Sequence, residues 1–127
     1  MPGIIIPIAS KTVQNDYFRQ VLFTATNLQL VVMSLNPSED IGRETHPGVD
    51  QFLRIESGEV MVFLNGQEQV AKTGDCIIVP AGVEHNVINR STQQKAKIYT
   101  LYSPPHHRDG TIHQTKADAI ADSADKA

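Results

Sequence analysis

Two stretches of the chain place histidine beside residues that can share its chemistry. The segment "GRETHPGVDQ", residues 42–51, sets Glu44, His46 and Gln51 around the turn formers Pro47 and Gly48. Farther along, Gly74 to Asn89 reads G-x5-P-x-G-x2-H-x3-N, fixed by Gly74, Pro80, Gly82, His85 and Asn89. Imidazole and carboxylate hold divalent transition metals and move protons near neutral pH. The second stretch is specific, since five such positions arise by chance on the order of once in tens of thousands of chains of this length. Three further histidines, His106, His107 and His113, follow the stiff Pro104-Pro105 pair.

Length and composition bound what these residues could serve. At 127 residues the chain fits one domain with a core large enough to fold without staples. Its 11 basic and 14 acidic residues give a net charge of −3, so nothing favours nucleic acid or anionic lipid as a partner. The start "MPGIIIPIAS" has no basic leader and an apolar run too short for a signal peptide or membrane span. One cysteine, Cys76 in "CIIVP", allows no disulfide and reads as a small hydrophobe packed in a strand. A cytoplasmic protein is expected.

The elements that must position the histidines are strands. "YFRQVLFT", "LQLVVMSL", "FLRIESG", "EVMVFLNGQEQVA", "DCIIVP", "EHNVIN" and "AKIYTLYS" are rich in β-branched or aromatic residues and separated by turn formers. Asn65-Gly66 between two of them marks a tight hairpin, because both residues accept positive φ. Strands at this spacing imply an antiparallel sandwich or barrel. Before them residues 1–16 form an extended arm that could pair at a sheet edge or with a second subunit. After them residues 104–127 form a tail with one short helix from about Thr115 and loose final residues.

The Gly74 to Asn89 stretch resembles the second motif of the cupins, small metal-binding jelly-roll barrels. That resemblance covers roughly residues 25–103 and implies an all-β, double-stranded β-helix barrel over about 17–103 within a single domain. In the first cupin motif, G-x5-H-x-H-x3-4-E-x6-G, the final glycine corresponds to Gly58, the glutamate to Gln51, and the two histidines to Glu44 and His46. The chain thus departs twice, with Glu44 in place of a histidine and Gln51 in place of the glutamate. The ligand set implied is Glu44, His46, Gln51 and His85 around one divalent transition metal ion, Zn, Fe, Mn or Ni. Some cupins that open unsaturated uronate sugars are similar in carrying glutamine at this place.

Strand geometry is compatible with that set. Residues 44 and 46 share a face about 7 Å apart, while 51 has the opposite parity. A turn at Pro47-Gly48 resets the register so that Gln51, Leu53 and Ile55 face inward and Asp50 outward, with His85 arriving from an opposing strand. Two histidines and one carboxylate suit non-haem Fe(II) and equally other divalent ions. Each residue has a plainer reading: His46 and His85 as hydrogen-bonded core histidines, Glu44 as a solvated loop charge, Gln51 as a hydrogen-bonding neighbour of the ligands. Asn89 and the glycines of the motif read as turn and pairing residues.

For His106, His107 and His113 the expectation is an exposed tail, with a lid across a barrel mouth as the alternative, and Arg108 and Lys116 as surface charges. Tyr99, Tyr102 and Arg54 are candidates to line a cavity. No general acid or base can be named. Function then divides between a metal-dependent enzyme and a non-catalytic, metal-assisted module that binds or senses a small molecule. The enzyme would use isomerase, ring-opening or oxygenase chemistry on a sugar acid or keto acid. Regulators of the family usually carry a helix-turn-helix domain, for which this chain has no room, and that tilts the expectation to an enzyme. Small one-domain cupins commonly pair, so a homodimer is expected.

Overall fold

The computed structural model describes residues 2–125. Its elements are α1 (Ile8–Gln14), β1 (Arg19–Thr24), β2 (Gln29–Leu35), β3 (Asp50–Ser57), β4 (Glu59–Leu64), β5 (Gln67–Lys72), β6 (Cys76–Val79), β7 (His85–Asn89), β8 (Ala96–Ser103), β9 (Ile112–His113) and α2 (Lys116–Ala121), then a 3₁₀ turn at Ser123–Asp125. Two antiparallel sheets result, one ordered β6-β3-β8-β2-β1-β9 and the other β5-β4-β7. This is the all-β jelly roll expected. Met33, Leu35, Leu53, Ile55, Val60 and Ile98 are fully buried in its core. Among the described residues no helix is long and apolar enough to cross a membrane.

Local sequence explains much of this. Burial alternates along β3, so that Gln51, Leu53 and Ile55 turn inward and Asp50 outward, the two-residue period of a strand covered on one face. Asn65 and Gly66 take φ of +50° and +83°, which lets a two-residue turn close the β4–β5 hairpin. Gly58 has φ +117°, and a side chain there would meet the Ala96 backbone at 3.1 Å. The last residue of the specific motif, Asn89, is a clamp between strands. Its Nδ2 reaches the carbonyls of Leu35, Asn36 and Gln94, and its Oδ1 accepts from the Ser91 N–H.

Three expectations are corrected. The N-terminal arm is extended only at its start, because Ile8–Gln14 is helical and residues that follow it are tied to β8 through the Asp16–Lys97 ion pair at 2.8 Å. Cys76 does lie in a strand, but on its solvent side, with Ile77 and Val79 filling the core instead. The tail is not simply exposed. Its strand β9 pairs with β1, and His107 and His113 are buried. The helix expected from Thr115 forms as α2, capped reciprocally by Thr115 and Asp118. The last residues of the chain, expected to be loose, lie in part outside the described residues, at 126 and 127.

Candidate metal centre

Backbone pairing alone brings the first three side chains together. Glu44 and His85 form an isolated antiparallel bridge, each backbone N–H donating to the other's carbonyl at 2.9 Å. Residues opposed in this way put their side chains on one face, and His46, two places on from Glu44, shares it. His85 therefore arrives from the neighbouring strand of the same ladder. The turn at Pro47-Gly48 is held by the Gly82 and Val49 N–H groups, which donate to the His46 carbonyl. Ligand-type atoms of Glu44, His46 and His85 lie within 4.8 Å of one another, and the two imidazole centroids are 5.2 Å apart.

The hydrogen bonding of the two histidines is incomplete. His85 Nδ1 lies 3.0 Å from the Val83 carbonyl, which assigns the proton to Nδ1 and leaves the Nε2 lone pair free. That Nε2 atom is buried and has no hydrogen-bond partner, and neither has His46 Nε2. A Glu44 oxygen lies 2.8 Å from His46 Nε2, an ion-pair contact within the cluster. Burial would raise the Glu44 carboxyl, yet the neighbouring His46, Arg19 and His85 outweigh it and hold the group below the ordinary carboxylate range.

Gln51 faces the same interior from the other sheet, backbone-paired with Tyr102 of β8. Its Nε2 donates to Thr100 Oγ1 at 3.1 Å, which orients the amide, while its Oε1 is buried without a partner. Asp50 points outward and accepts from the Ala81 N–H. Tyr102 is buried, its ring centroid 6.1 Å from that of His46, whereas Tyr99 packs on Phe52 and Arg54 pairs with Glu56, away from the site.

A cavity of about 310 Å³ opens beside the group, and the tail forms one wall of it. His106 lies against His46, ring centroids 4.0 Å apart, and burial pushes its pKa down to about 4. His107 accepts from Tyr102 OH at Nε2 (3.2 Å) and donates from Nδ1 to Asp125 (2.8 Å). His113 donates from Nε2 to Asp122 (2.9 Å), and its Nδ1 lies 3.4 Å from Arg19 Nη1. Lys116 on the rim pairs with Asp40, so it is a fastening of the tail as well as a surface charge.

These tail contacts and Arg19 were not readable as site residues. Arg19 opens a strand as an ordinary charge would, and only the pairing Arg19 to His113 turns it inward. A usable signal was present for α2 alone, in the Thr115-x-x-Asp118 cap.

Comparison with known proteins identifies the family of the chain. A family model described as the cupin domain matches residues 31–102. The chain is 47% identical over 124 residues to YrkC of Bacillus subtilis (strain 168), covering 92% of this chain and 66% of that protein. It is 42% identical over 112 residues to a protein of Acanthamoeba polyphaga mimivirus, covering 85% and 69%. The chain thus spans about two thirds of the length of these relatives. A crystal structure from Bacillus halodurans is similar with a TM-score of 0.92 and 38% identity, over 94% of this chain and 95% of that one.

Proposed function

The chain belongs to the cupin family, and from that footing we propose that it is an enzyme holding one divalent transition metal ion, Zn(II), Fe(II), Mn(II) or Ni(II). Glu44, His46 and His85 are the ligands, with Gln51 as a fourth through its amide oxygen. The observation that carries this reading is a set of buried atoms of ligand type without a hydrogen-bond partner: His85 Nε2, Gln51 Oε1 and His46 Nε2, the last in contact only with the carboxylate of Glu44. Leaving a buried polar atom unpaired costs about 1–3 kcal/mol. Three of them are best explained by a group they are meant to receive.

When bound, such an ion polarises a substrate oxygen or activates water. The chain's own residues do the rest. Glu44 supplies the one negative charge of the set, and the Val83 carbonyl and Thr100 hydroxyl fix the orientation of His85 and Gln51. The cavity is at the small end of ligand sites, which fits a small oxygenated metabolite. His106, against His46 on its wall, is the imidazole placed to exchange a proton with that metabolite. Isomerisation, ring opening or oxygenation of a sugar acid or keto acid would suit an ion whose protein ligands leave coordination positions open.

Elemental analysis of the purified protein beside His46→Ala and His85→Ala tests the reading. About one ion per chain is expected in the parent and almost none in either variant, and equal metal in all three would overturn it. A cytoplasmic setting belongs to the same proposal, since the one thiol, Cys76, is free and exposed. So does a homodimer through the N-terminal arm, where Ile5 is fully exposed. Gel filtration at the monomer volume would remove the dimer.

A further inference from the structure

Arg19 is a buried cation without a direct ion pair, though the carboxylates of Glu44 and Asp125 feel its charge through space. Only 6% exposed, it lines the cavity together with Glu44 and His46. None of the ion pairs among the described residues includes it. Its Nε has no hydrogen-bond partner, its Nη1 meets the imidazole of His113, and its guanidinium carbon lies 5.2 Å from the centre of the Phe18 ring. Donation from His113 Nε2 to Asp122 leaves Nδ1 as a lone pair, so the imidazole accepts from Arg19 as a neutral group and supplies no counter-charge of its own. Taking a guanidinium out of water without pairing it opposes folding, so a protein keeps one where it has a use.

The surrounding elements hold Arg19 for that use. Strand pairing sets Arg19 opposite both His113 and Met33, and all three are buried. Asp122 orients His113, and His113 orients the guanidinium. The other charges on the wall are engaged elsewhere: Asp122 with His113 and Arg108, Asp125 with His107 and the Arg108 N–H, Lys116 with Asp40.

We propose that Arg19 is the carboxylate-binding residue of this cavity, so that the ligand is a small carboxylic acid pairing with its guanidinium while a second oxygen meets the Glu44, His46 and His85 group. The second half of that statement rests on the metal reading given above. A planar fork matches a carboxylate in a two-point contact. A phosphate ester would also pair with it, but a dianion calls for a second free cation, and Lys116 is already tied to Asp40. The carboxylate is therefore the better match to a single guanidinium.

The test is calorimetric titration of the metal-loaded protein with pyruvate, malonate and galacturonate, each against a neutral counterpart: hydroxyacetone, 1,3-propanediol and galactose. Glycerol 1-phosphate is the phosphate arm. At least one acid is expected to bind about 10- to 100-fold tighter than its counterpart, the worth of a charge-assisted pair. Arg19→Met should erase that preference with metal content unchanged, and Arg19→Lys should keep part of it. Because the lone charge opposes folding, ligand-free Arg19→Met should melt no lower than the parent, which separates a binding role from a structural one. Preference retained in Arg19→Met, no preference in the parent, or tighter binding of the phosphate would each overturn the proposal while leaving the metal site standing. A parent without metal that still shows an Arg19-dependent preference would sustain Arg19 and sink the metal reading.

Discussion

Two clusters of histidine and carboxylate lie close together in this molecule, and they differ in what they leave unpaired. Glu44, His46 and His85 on one side, and His113, Asp122 and Asp125 on the other, each bring ligand-type atoms within 4.8 Å. In the first, both Nε2 atoms lack hydrogen-bond partners. In the second, His113 has Asp122 and Arg19, while Asp125 has His107 and the Arg108 N–H. Residue type and proximity are thus shared, and satisfaction is not. A cluster whose hydrogen bonds are complete is a fastening, here of the tail to the barrel; one whose buried ligand-type nitrogens lack hydrogen-bond partners is suited to receive something.

The sharpest way to break this comparison is to treat both clusters alike. His85→Ala should lower metal affinity by at least about 100-fold, more than loss of a supporting contact would, whereas Asp122→Ala should leave it nearly unchanged. Chelator competition reads both, and equal losses would erase the distinction. The converse holds for the fastening. Asp125→Ala removes the partner of His107 and should cost about 2–3 kcal/mol of local stability. Hydrogen exchange of the tail amides measures this, and metal uptake should be unaffected.

A smaller effect sharpens the first cluster. Gln51→Leu should reduce metal affinity roughly tenfold, less than His85→Ala, and an unchanged affinity would remove Gln51 from the site. The smallest effect near neutrality concerns pH. Burial and the charge of Arg19 push His107 down to about 4, and the bonds from Arg108 N–H and His107 hold Asp125 below its ordinary range against the effect of burial. Both folded-state values lie below the unfolded ones, so the His107 contribution to stability is complete above roughly pH 6.5 and is lost as pH falls towards about 4, while that of Asp125 persists to about pH 4 and is lost below it. Tail proteolysis should be flat from pH 8 to 7 and rise progressively below 6; a rate independent of pH over that range would contradict the assignment.

Much of the barrel was legible in the chain because its signals are local. The Asn65-Gly66 turn needs only two residues with positive φ, and β3 alternates cleanly enough to fix Gln51 inside and Asp50 outside. Where every residue of a strand is apolar the parity disappears, which is why Cys76 in "CIIV" reads as buried and is exposed. The seven-residue helix α1 escaped notice because it has no side-chain cap and buries only Thr12. The tail was misjudged for a different reason: its histidines are fastened to Tyr102 and Arg19, partners supplied by the barrel.

By itself the sequence determined the strand succession, the hairpin, the cupin motifs and the candidate ligands Glu44, His46, Gln51 and His85, since each follows from residue type and short spacing. Tertiary structure alone decided which polar atoms of those residues stay unpaired, that the tail walls the cavity, and that Arg19 turns inward. The reason is physical: whether a buried donor or acceptor is satisfied depends on neighbours that folding brings from 40 to nearly 100 residues away, such as His85 beside Glu44 and His113 beside Arg19.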